Sequence, residues 1–367
     1  MSTFLINASN LKQGGGIQVA DSVCRELKRF PQHRFVVVLS SSFSDTRQAI
    51  EDYKNVGVYS YNIRNNVKTL LLGRDSFLDG LVEDKKVEVV LTVFGPSRWR
   101  PRCKHLCGFA RAQLLLDNPL QERLSLKEKL AYRVWKWAFR WSSDSFYTEN
   151  NYISEMLPKV LGNVKVHTVT NYYNQVFDQP ENWKVKRLPD FNGITLLTIS
   201  NSYPHKNLEI AADTARILEE KHPELRFRFV FSIDRAQYQA NIKGIEEHFV
   251  FLGKVDIAEC PSLYEQCDIA FQPTLLECFT ATYPEAMRMD VPIVTTDLEF
   301  ARGLCGDAAC YYSAVDAKAA AETIYKVATD KEYASMLVAT GKEQLKKFDN
   351  YEQRAEKLVR ILEEIGE

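Results

Sequence analysis

The sequence predicts an α/β protein built from two Rossmann-like domains, each with a parallel sheet. Its 367 residues exceed the size at which a single hydrophobic core usually stops growing, so two domains of roughly 180 residues each are expected. Short β-rich runs alternate with helical patterns along the whole chain, and this alternation is typical of parallel sheets flanked by helices. We find no internal repeat or low-complexity tract.

Thirteen short runs have the composition of strands, seven in the first half and six in the second. In the first half they are Phe4–Asn7, Arg34–Ser40, Val56–Tyr61, Val87–Val93, His105–Gly108, Ser145–Thr148 and Lys165–Val169. In the second half they are Ile194–Ile199, Arg226–Phe231, Phe249–Leu252, Ile269–Pro273, Pro292–Thr295 and Cys310–Tyr312. Helices of the second half are expected to start at Asn207, Cys260, Ala281 and Asp316.

The stretch 174–192 has the character of an interdomain linker, because it contains Pro180 and Pro189, many charges and little periodicity. It divides the chain into domains at 1–178 and 190–348. The tail 349–367 is an amphipathic helical segment that could pack on either domain, and we assign it to the N-terminal one.

Composition and charge exclude several classes of protein. The chain is 45% hydrophobic and 26% charged, as in ordinary globular proteins. Its 47 basic residues are balanced by 48 acidic ones, so no nucleic-acid partner is expected. No run approaches the ~20 apolar residues of a membrane span, and we expect a cytoplasmic location. The eight cysteines contain no CxxC pair, which favours reduced thiols without a structural metal or disulfide.

Three loops follow predicted strands at positions where a phosphate could bind. In parallel sheets such loops lie at the carboxyl ends of the strands, where backbone N–H groups favour anions. The first is Gly14-Gly15-Gly16, which opens a helix at Ile17. It lacks the third glycine of GxGxxG, and a simple flexible turn is the alternative interpretation.

The second loop is 200–207 (SNSYPHKN), which places Lys206 near the first turn of a predicted helix. A lysine at that end opposes the helix dipole unless an anion is present, although a solvated surface lysine is an equal alternative. His205 is interpreted as a surface residue.

The third loop, Leu275–Thr280, precedes a helix that carries Glu285 near its beginning. On one continuous helix Glu277 and Glu285 would lie about 12 Å apart, too far for a retaining glycosidase pair at ~5 Å. One loop carboxylate and one helix carboxylate could instead hold two ends of an elongated ligand, one at a sugar and one at a ribose diol. The alternative is two solvated glutamates.

At these residues the sequence strongly resembles glycosyltransferase family 4, retaining enzymes of GT-B fold that use nucleotide-sugar donors. The most specific element is E-x7-E, present as Glu277-CFTATYP-Glu285 and followed by the strand residues 291–294. The resemblance covers most of the chain. It implies two sheets that face a central cleft, an acceptor-binding domain at 1–178 and a donor-binding domain at 190–348.

The resemblance also implies roles for individual residues. Glu277 would lie by the sugar hydroxyls, Lys206 by the diphosphate and Glu285 by the ribose. The other residues implied to contact the donor are Gly15, Gly16, Ser202, Gly253, Lys254, Val255, Cys278, Phe279 and Thr280.

Two positions depart from the family pattern. Asn201-Ser202 stands where Gly-Arg is common, so one phosphate-neutralising cation is missing. Phe109 takes the place of the usual N-terminal histidine, and Arg111 is therefore our candidate for a supplementary catalytic charge. His105 lies inside a strand and is interpreted as structural.

The implied reaction releases a nucleoside diphosphate with retention at the anomeric carbon and needs no metal or cofactor. The acceptor would be a saccharide or lipid-linked saccharide, as in surface polysaccharide or glycolipid synthesis. The basic, aromatic stretch 123–140 (RLSLKEKLAYRVWKWAFR) could touch an anionic membrane from the cytoplasmic side, whereas core packing of its aromatic residues is the alternative.

Two other functions remain open. A sugar-nucleotide epimerase or hydrolase can share this architecture, although the E-x7-E pattern disfavours it. A non-catalytic nucleotide-sugar binding protein would account for the missing arginine and histidine.

Overall fold

The structure is a computed structural model that describes residues 1–12, 14–63, 67–115 and 125–367. The described chain divides into two compact units. The first unit comprises residues 1–171 and 349–367, and the second comprises residues 172–348.

The first unit is built on a seven-stranded parallel sheet with the strand order β3-β2-β1-β4-β5-β6-β7. Its five inner strands are nearly continuous buried runs, as expected for sheets covered on both faces, whereas the two strands at the edges are partly exposed. They are β1 (Thr3–Ala8), β2 (Arg34–Leu39), β3 (Val56–Ser60), β4 (Val89–Thr92), β5 (Lys104–Gly108), β6 (Ser145–Thr148) and β7 (Lys165–Thr168). The helices between them are α1 (Gly15–Glu26), α2 (Ser44–Ile50), α3 (Val67–Leu72), α4 (Ser76–Asp84), α5 (Leu126–Ser142) and α6 (Asn151–Leu161).

The second unit has a six-stranded parallel sheet with the order β10-β9-β8-β11-β12-β13. Its strands are β8 (Ile194–Thr198), β9 (Phe227–Phe231), β10 (Phe249–Phe251), β11 (Ile269–Gln272), β12 (Ile293–Thr296) and β13 (Ala309–Tyr312). Its helices are α7 (Ile210–Lys221), α8 (Cys260–Tyr264), α9 (Thr282–Arg288), α10 (Glu299–Cys305), α11 (Ala317–Thr329) and α12 (Lys331–Leu345). Phenylalanine side chains of β9, β10 and β11 dominate its core.

The chain returns to the first unit through α13 (Tyr351–Gly366). Ala355, Leu358 and Leu362 of this helix are almost fully buried in the same cluster as the residues of β1 and β2. The amphipathic pattern of the tail therefore completes one face of the first sheet.

All thirteen predicted strands are present, with ends within two residues of the expected ones. The α/β class and the two parallel-sheet, Rossmann-like units are confirmed. The stretch 174–192, expected to be a linker, lies within the second unit: Leu188 N–H donates to Gln266 at 2.9 Å, and Arg228 donates to the Pro189 carbonyl at 2.6 Å. In the described part of the chain, no helix is long and apolar enough to cross a membrane.

Candidate functional site

The site of greatest chemical interest in the second unit lies where the strand order reverses. From β8 the chain proceeds outwards through β9 and β10, then crosses to β11 on the other side of β8. Open parallel sheets bind ligands outside the carboxyl ends of the strands at such a switch point. The loops after β8 and β11 carry Lys206 and Glu277.

The loop after β8 ends differently from the sequence prediction. Pro204–Lys206 forms a 3₁₀ turn, Asn207 has a left-handed backbone with φ of 50°, and helix α7 begins only at Ile210. Lys206 therefore precedes the helix instead of occupying its first turn. The helix dipole therefore does not act on this lysine as expected. Its position is explained by the ion pair with Glu277.

Lys206 and Glu277 form an ion pair in which the lysine Nζ donates to Glu277 Oε1. Thr274 Oγ1 donates to the same oxygen at 2.9 Å. The two loops are also joined through their backbones, because the Leu275 N–H donates to the His205 carbonyl at 2.7 Å. His205 is thus a bridging residue of the two loops, and burial lowers the pKa of its imidazole.

This ion pair keeps hydrogen-bonding capacity for a ligand. An ammonium group has three donors, and in the described residues Lys206 uses one of them for Glu277. Glu277 Oε2 receives no hydrogen bond from any described residue, although the side chain is only 11% exposed. A cation and one acceptor oxygen therefore lie side by side, and both can form charge-assisted hydrogen bonds.

The residues after Glu277 present backbone donors. In the part of the chain that the structure describes, no oxygen accepts the N–H groups of Phe279 or Thr280. The ring of Phe279 meets Phe348 edge-on with centroids 6.0 Å apart, and Thr280 shares a 2.8 Å hydroxyl contact with Thr282. Cys278 is buried. The side chains fix the loop, and these two amides keep their donors.

Glu285 lies in the first turn of α9 and is only 4% exposed. Tyr264 donates its hydroxyl to Glu285 Oε2 at 3.1 Å. Burial raises the pKa of this carboxyl to about 7, because desolvation disfavours the charged form and exceeds the effect of the tyrosine hydrogen bond. The residue is therefore poised between its neutral and charged forms near physiological pH.

The remaining candidates of the second unit lie on loops at the carboxyl ends of the same strands. The Gly253 N–H donates to the Ile233 carbonyl at 3.1 Å, and its φ of 68° favours glycine there. Lys254 is exposed and Val255 is half-buried. The hydroxyl of Ser202 accepts from Gln237 at 3.4 Å, which ties the loop after β8 to the loop after β9.

The glycine run Gly14-Gly15-Gly16 belongs to the first unit. Gly14 has a φ of 80° and precedes α1, which begins at Gly15 and not at Ile17 as expected. Apart from their chain neighbours, added side-chain carbons at Gly14 and Gly15 would meet no atom of the described residues within 4 Å, whereas Gly16 packs against Leu11. The first two glycines therefore leave open space beside the backbone.

The structure places Phe109 directly after β5, as the sequence predicts. Its ring is fully buried and packs on Phe139 with centroids 5.1 Å apart, so it lies in the core of the first unit. Arg111 is half-buried and stacks over the ring of Trp135 at 4.1 Å. Burial and the nearby Arg98 lower the pKa of its guanidinium group.

His105 is structural, as interpreted from the sequence. Its Nδ1 donates to the Ser142 carbonyl at 2.6 Å, and Nε2 accepts from Thr92 at 2.8 Å. Burial lowers the pKa of the imidazole to about 4, so the ring stays neutral.

Among the described residues, one group has the composition of a cation site: Glu219, Glu247 and His248, whose ligand atoms lie within 4.8 Å of one another. Glu219 is on α7 and His248 directly precedes β10, so the group lies at the amino ends of the strands. It is on the opposite edge of the sheet from Lys206 and Glu277.

Sequence reasoning missed the polar residues that orient the carboxylates. Thr274 donates a hydrogen bond to Glu277, and Tyr264 donates one to Glu285. In the sequence, a threonine near the end of a strand and a tyrosine in a helix give no sign of these contacts. It also missed Glu149 of the first unit, a 5% exposed carboxyl at the end of β6. Burial raises the pKa of Glu149 to about 7 despite the nearby Arg354. The signal for Glu149 in the sequence was its position directly after a predicted strand.

Comparison with protein families matches residues 179–344 to the model described as glycosyl transferases group 1. A curated relative, the phosphatidyl-myo-inositol mannosyltransferase of Mycobacterium leprae (strain TN), is 25% identical over 166 residues. That stretch spans 44% of this chain and 44% of the relative, so the chain aligns with less than half of the relative's length.

Solved structures resemble the chain over almost its full length. A glycosyltransferase from Rickettsia africae ESF-5 has a TM-score of 0.71 and 14% identity, covering 99% of this chain and 98% of its own. Sucrose-phosphate synthase from Thermosynechococcus elongatus has a TM-score of 0.72 and 13% identity, with 100% and 99% covered. Anabaena HepE in complex with UDP and glucose has a TM-score of 0.67 and 14% identity, with 99% of each chain covered. Residues 179–344 are therefore related to the glycosyl transferases group 1 family, and the chain has the two-unit fold of GT-B glycosyltransferases.

Proposed function

We propose that this protein transfers a sugar from a nucleoside-diphosphate sugar to an acceptor hydroxyl with retention at the anomeric carbon. The observation that carries the proposal is the pairing of Lys206 with Glu277 on the loops at the switch point of the second sheet. It falls within the stretch that matches the glycosyl transferases group 1 family. Anabaena HepE, which has the same fold, was solved with UDP-glucose.

In the proposed reaction the bond between the anomeric carbon and the β-phosphate oxygen breaks. A bond from the acceptor oxygen to the same carbon forms, and the acceptor's proton leaves with the diphosphate or with solvent. Negative charge grows on the departing diphosphate, so donors placed there stabilise the transition state. Lys206 and the amides of Phe279 and Thr280 would supply this stabilisation.

Glu277 would position the sugar. Its Oε1 is fixed by Lys206 and Thr274, and its Oε2 is the oxygen that a sugar hydroxyl would approach. Glu285 would accept hydrogen bonds from the ribose diol at the other end of the donor, and Tyr264 holds that carboxyl in place. Arg111 is proposed as a supplementary charge from the first unit.

No metal or cofactor is included in this proposal, because the ammonium group and the amides can stabilise the departing diphosphate through hydrogen bonds. A saccharide or lipid-linked saccharide acceptor on the cytoplasmic side of a membrane fits the name of the mycobacterial relative, which specifies a phosphatidylinositol. Chelation of divalent ions with EDTA should leave turnover unchanged, and a loss restored by Mg²⁺ or Mn²⁺ would contradict this part.

The first experiment is donor binding. Thermal-shift or saturation-transfer measurements with UDP-, GDP- and ADP-sugars should show selective binding of one nucleotide, and both Lys206→Ala and Glu285→Ala should weaken that binding strongly. Lys243→Ala changes an exposed lysine of the same unit and is the matched control. Stabilisation by no nucleotide sugar would contradict the proposal.

A second experiment separates transfer from other reactions on the same donor. A transferase alone with its donor should give only slow hydrolysis, and adding acceptor should yield a glycoside with unchanged anomeric configuration. A new sugar nucleotide formed at full rate without acceptor would indicate an epimerase. Tight binding without turnover on any acceptor would indicate a non-catalytic binding protein.

A further inference from the structure

Helix α5 (Leu126–Ser142) has two apolar faces, and one of them points away from the protein. Ala138, Phe139 and Ser142 are buried and attach the helix to the first unit. Leu126, Leu130, Val134 and Trp137 recur at intervals of four, four and three residues. At about 100° per residue they fall within an arc of about 80°, whose centre lies about 130° around the helix from that of the buried residues.

The side chains of this second face are exposed. Leu126 is 85% exposed, Leu130 63%, Val134 40% and Trp137 46%. Core packing, which the sequence left open for the aromatic residues of this stretch, therefore holds for Phe139 and not for Trp137. Arg123 and Leu124, the first residues of that stretch, lie outside the described part of the chain.

Helix α3 adds two more exposed apolar residues beside the C-terminal end of α5. Leu71 is 64% and Leu72 is 56% exposed, and the following Gly73 lies directly against the ring of Trp141. We call these six side chains the apolar patch: Leu71, Leu72, Leu126, Leu130, Val134 and Trp137. They make up six of the eleven large exposed hydrophobic residues in the described part of the chain, so the exposure is concentrated here.

Basic residues border the patch along the same helix. Helix α5 contains five lysine or arginine residues and one acidic residue, Glu128. Lys129, Arg133, Lys136 and Arg140 fall on the flank between the apolar face and the buried face. Glu128 is engaged in the capping box with Ser125 at the start of the helix.

We propose that the apolar patch inserts into the surface of an anionic lipid bilayer, with the basic flank of α5 on the lipid phosphates. An amphipathic helix with a narrow apolar face and a basic border lies in the interface plane of such a membrane. Trp137 suits the interface because its ring is apolar and its N–H can reach headgroup oxygens. This inference does not depend on the proposed sugar transfer, since it concerns binding without substrate.

The charge of α5 favours lipid over a second copy of the chain. In a two-fold symmetric contact that packs two α5 helices antiparallel through this face, the basic flanks of both copies would lie on the same side, and like charges would repel. An anionic bilayer provides both an apolar interior and the opposite charge.

The test is co-sedimentation of the full chain with vesicles of phosphatidylcholine alone or mixed with phosphatidylglycerol. We expect binding to the mixed vesicles, weak binding to phosphatidylcholine, and release at high salt. Leu126→Glu/Leu130→Glu should lower the partition coefficient at least about tenfold, because two leucines no longer enter the apolar layer. Met336→Glu, at an exposed methionine of α12, is the matched control and should bind as the parent does.

A second readout follows Trp137 directly. Lipids brominated on their acyl chains should quench tryptophan fluorescence of the parent protein, and Trp137→Phe should remove most of that quenching. Unaltered circular dichroism of each variant establishes that the fold is kept. The proposal is overturned by equal binding of the parent and the double variant. It is also overturned if the parent does not bind anionic vesicles but is a dimer in analytical ultracentrifugation, whereas the double variant is a monomer.

Discussion

Lys206 and Glu277 lie 71 positions apart in sequence and share one hydrogen bond at the candidate site. Replacing Lys206 with alanine removes the only proposed cation of the second unit that faces the departing diphosphate. It also leaves Glu277 as an 11% exposed carboxylate without its ion-pair partner. We expect kcat to fall about 100-fold to 1000-fold, by analogy with the loss of one donor to a developing oxyanion.

Steady-state kinetics of Lys206→Ala, Lys206→Arg and Lys243→Ala would check this prediction. The arginine variant keeps the charge and should retain part of the rate, whereas Lys243→Ala should change kcat by less than about twofold, as surface substitutions usually do. A Lys206→Ala enzyme as fast as the parent would remove this lysine from the mechanism.

The proposed role of Glu285 predicts that donor binding depends on pH. Its pKa of about 7 means that the carboxyl gains charge as the pH rises through neutrality, and the charged form accepts hydrogen bonds from ribose hydroxyls more strongly. Affinity for the nucleotide sugar should therefore increase between about pH 6 and pH 8. Isothermal titration calorimetry across this pH range measures that affinity. The diphosphate diester of the donor does not titrate there, so a change in affinity would come from the protein. Glu285→Gln should bind more weakly and show a flat profile, and a parent profile that is equally flat would contradict the role.

Folding stability should change in the opposite direction. The folded-state pKa of Glu285 lies above the ordinary value of 4.5, so the folded protein binds more protons than the unfolded chain between these values. The contribution of this group is greatest below pH 4.5 and is lost as the pH rises through 7. Urea unfolding of the parent should therefore show a loss in this window that is smaller in Glu285→Gln, which keeps the similar contribution of Glu149.

At the residue scale, the sequence predicted the candidate site only in part. Spacing was sufficient to single out Glu277 and Glu285, because the E-x7-E pattern is local. The pairing of Lys206 with Glu277 and of Tyr264 with Glu285 depends on which loops the sheet brings together, which spacing does not encode. The burial of Phe109 was not predicted for a related reason, since a phenylalanine directly after a strand can point either to the core or to a ligand.

At the element scale, strands were easier to predict than helix starts. Buried parallel strands are short apolar runs, and these are visible in the sequence. The start of α7 was placed three residues early, because a 3₁₀ turn and the left-handed Asn207 precede it. Helix α10 was not predicted at all, since its seven residues span two turns and show little periodicity.

Helix α13 carries a buried arginine that holds part of the first unit together. Arg354 is 2% exposed, donates to Asn171 and Ser22, and lies near the buried carboxyl of Glu149. Arg354→Met should destabilise the first unit by about 3–5 kcal/mol, because it leaves a buried acid and two polar side chains without their cation. Chemical denaturation measures this loss.

Two further variants test the explanation for Arg354. Arg360→Ala alters an exposed arginine of the same helix and should stay within about 0.5 kcal/mol of the parent. Adding Glu149→Gln to Arg354→Met should recover part of the lost stability, since the neutral amide needs no cation. If the double variant is no more stable than Arg354→Met, the coupling between these two residues is absent.

At the scale of the whole molecule, the two units differ in how the chain builds them. The second unit is one continuous segment, 172–348, with its own sheet and core, whereas the first needs 349–367 in addition to 1–171. The sequence patterns predicted both sheets but placed the boundary between the two units at 178–190. The reason is that the proline-containing stretch looks like a linker yet its backbone is bonded to side chains of the second unit, including Ser262 and Gln266.

This difference predicts how fragments of the chain behave. The segment 172–348 should fold alone, show a cooperative thermal transition and be stabilised by the same nucleotide sugar as the full chain. The segment 1–171 should not fold, because α13 contributes Ala355, Leu358 and Leu362 to its core and burial of each leucine is worth about 1.5–3 kcal/mol. Circular dichroism and calorimetry of both fragments measure this, and 1–171 joined by a flexible linker to 349–367 is the matched control that should recover cooperative unfolding. A cooperative transition of 1–171 alone would show that α13 is dispensable, and an unfolded 172–348 would show that the second unit requires the first.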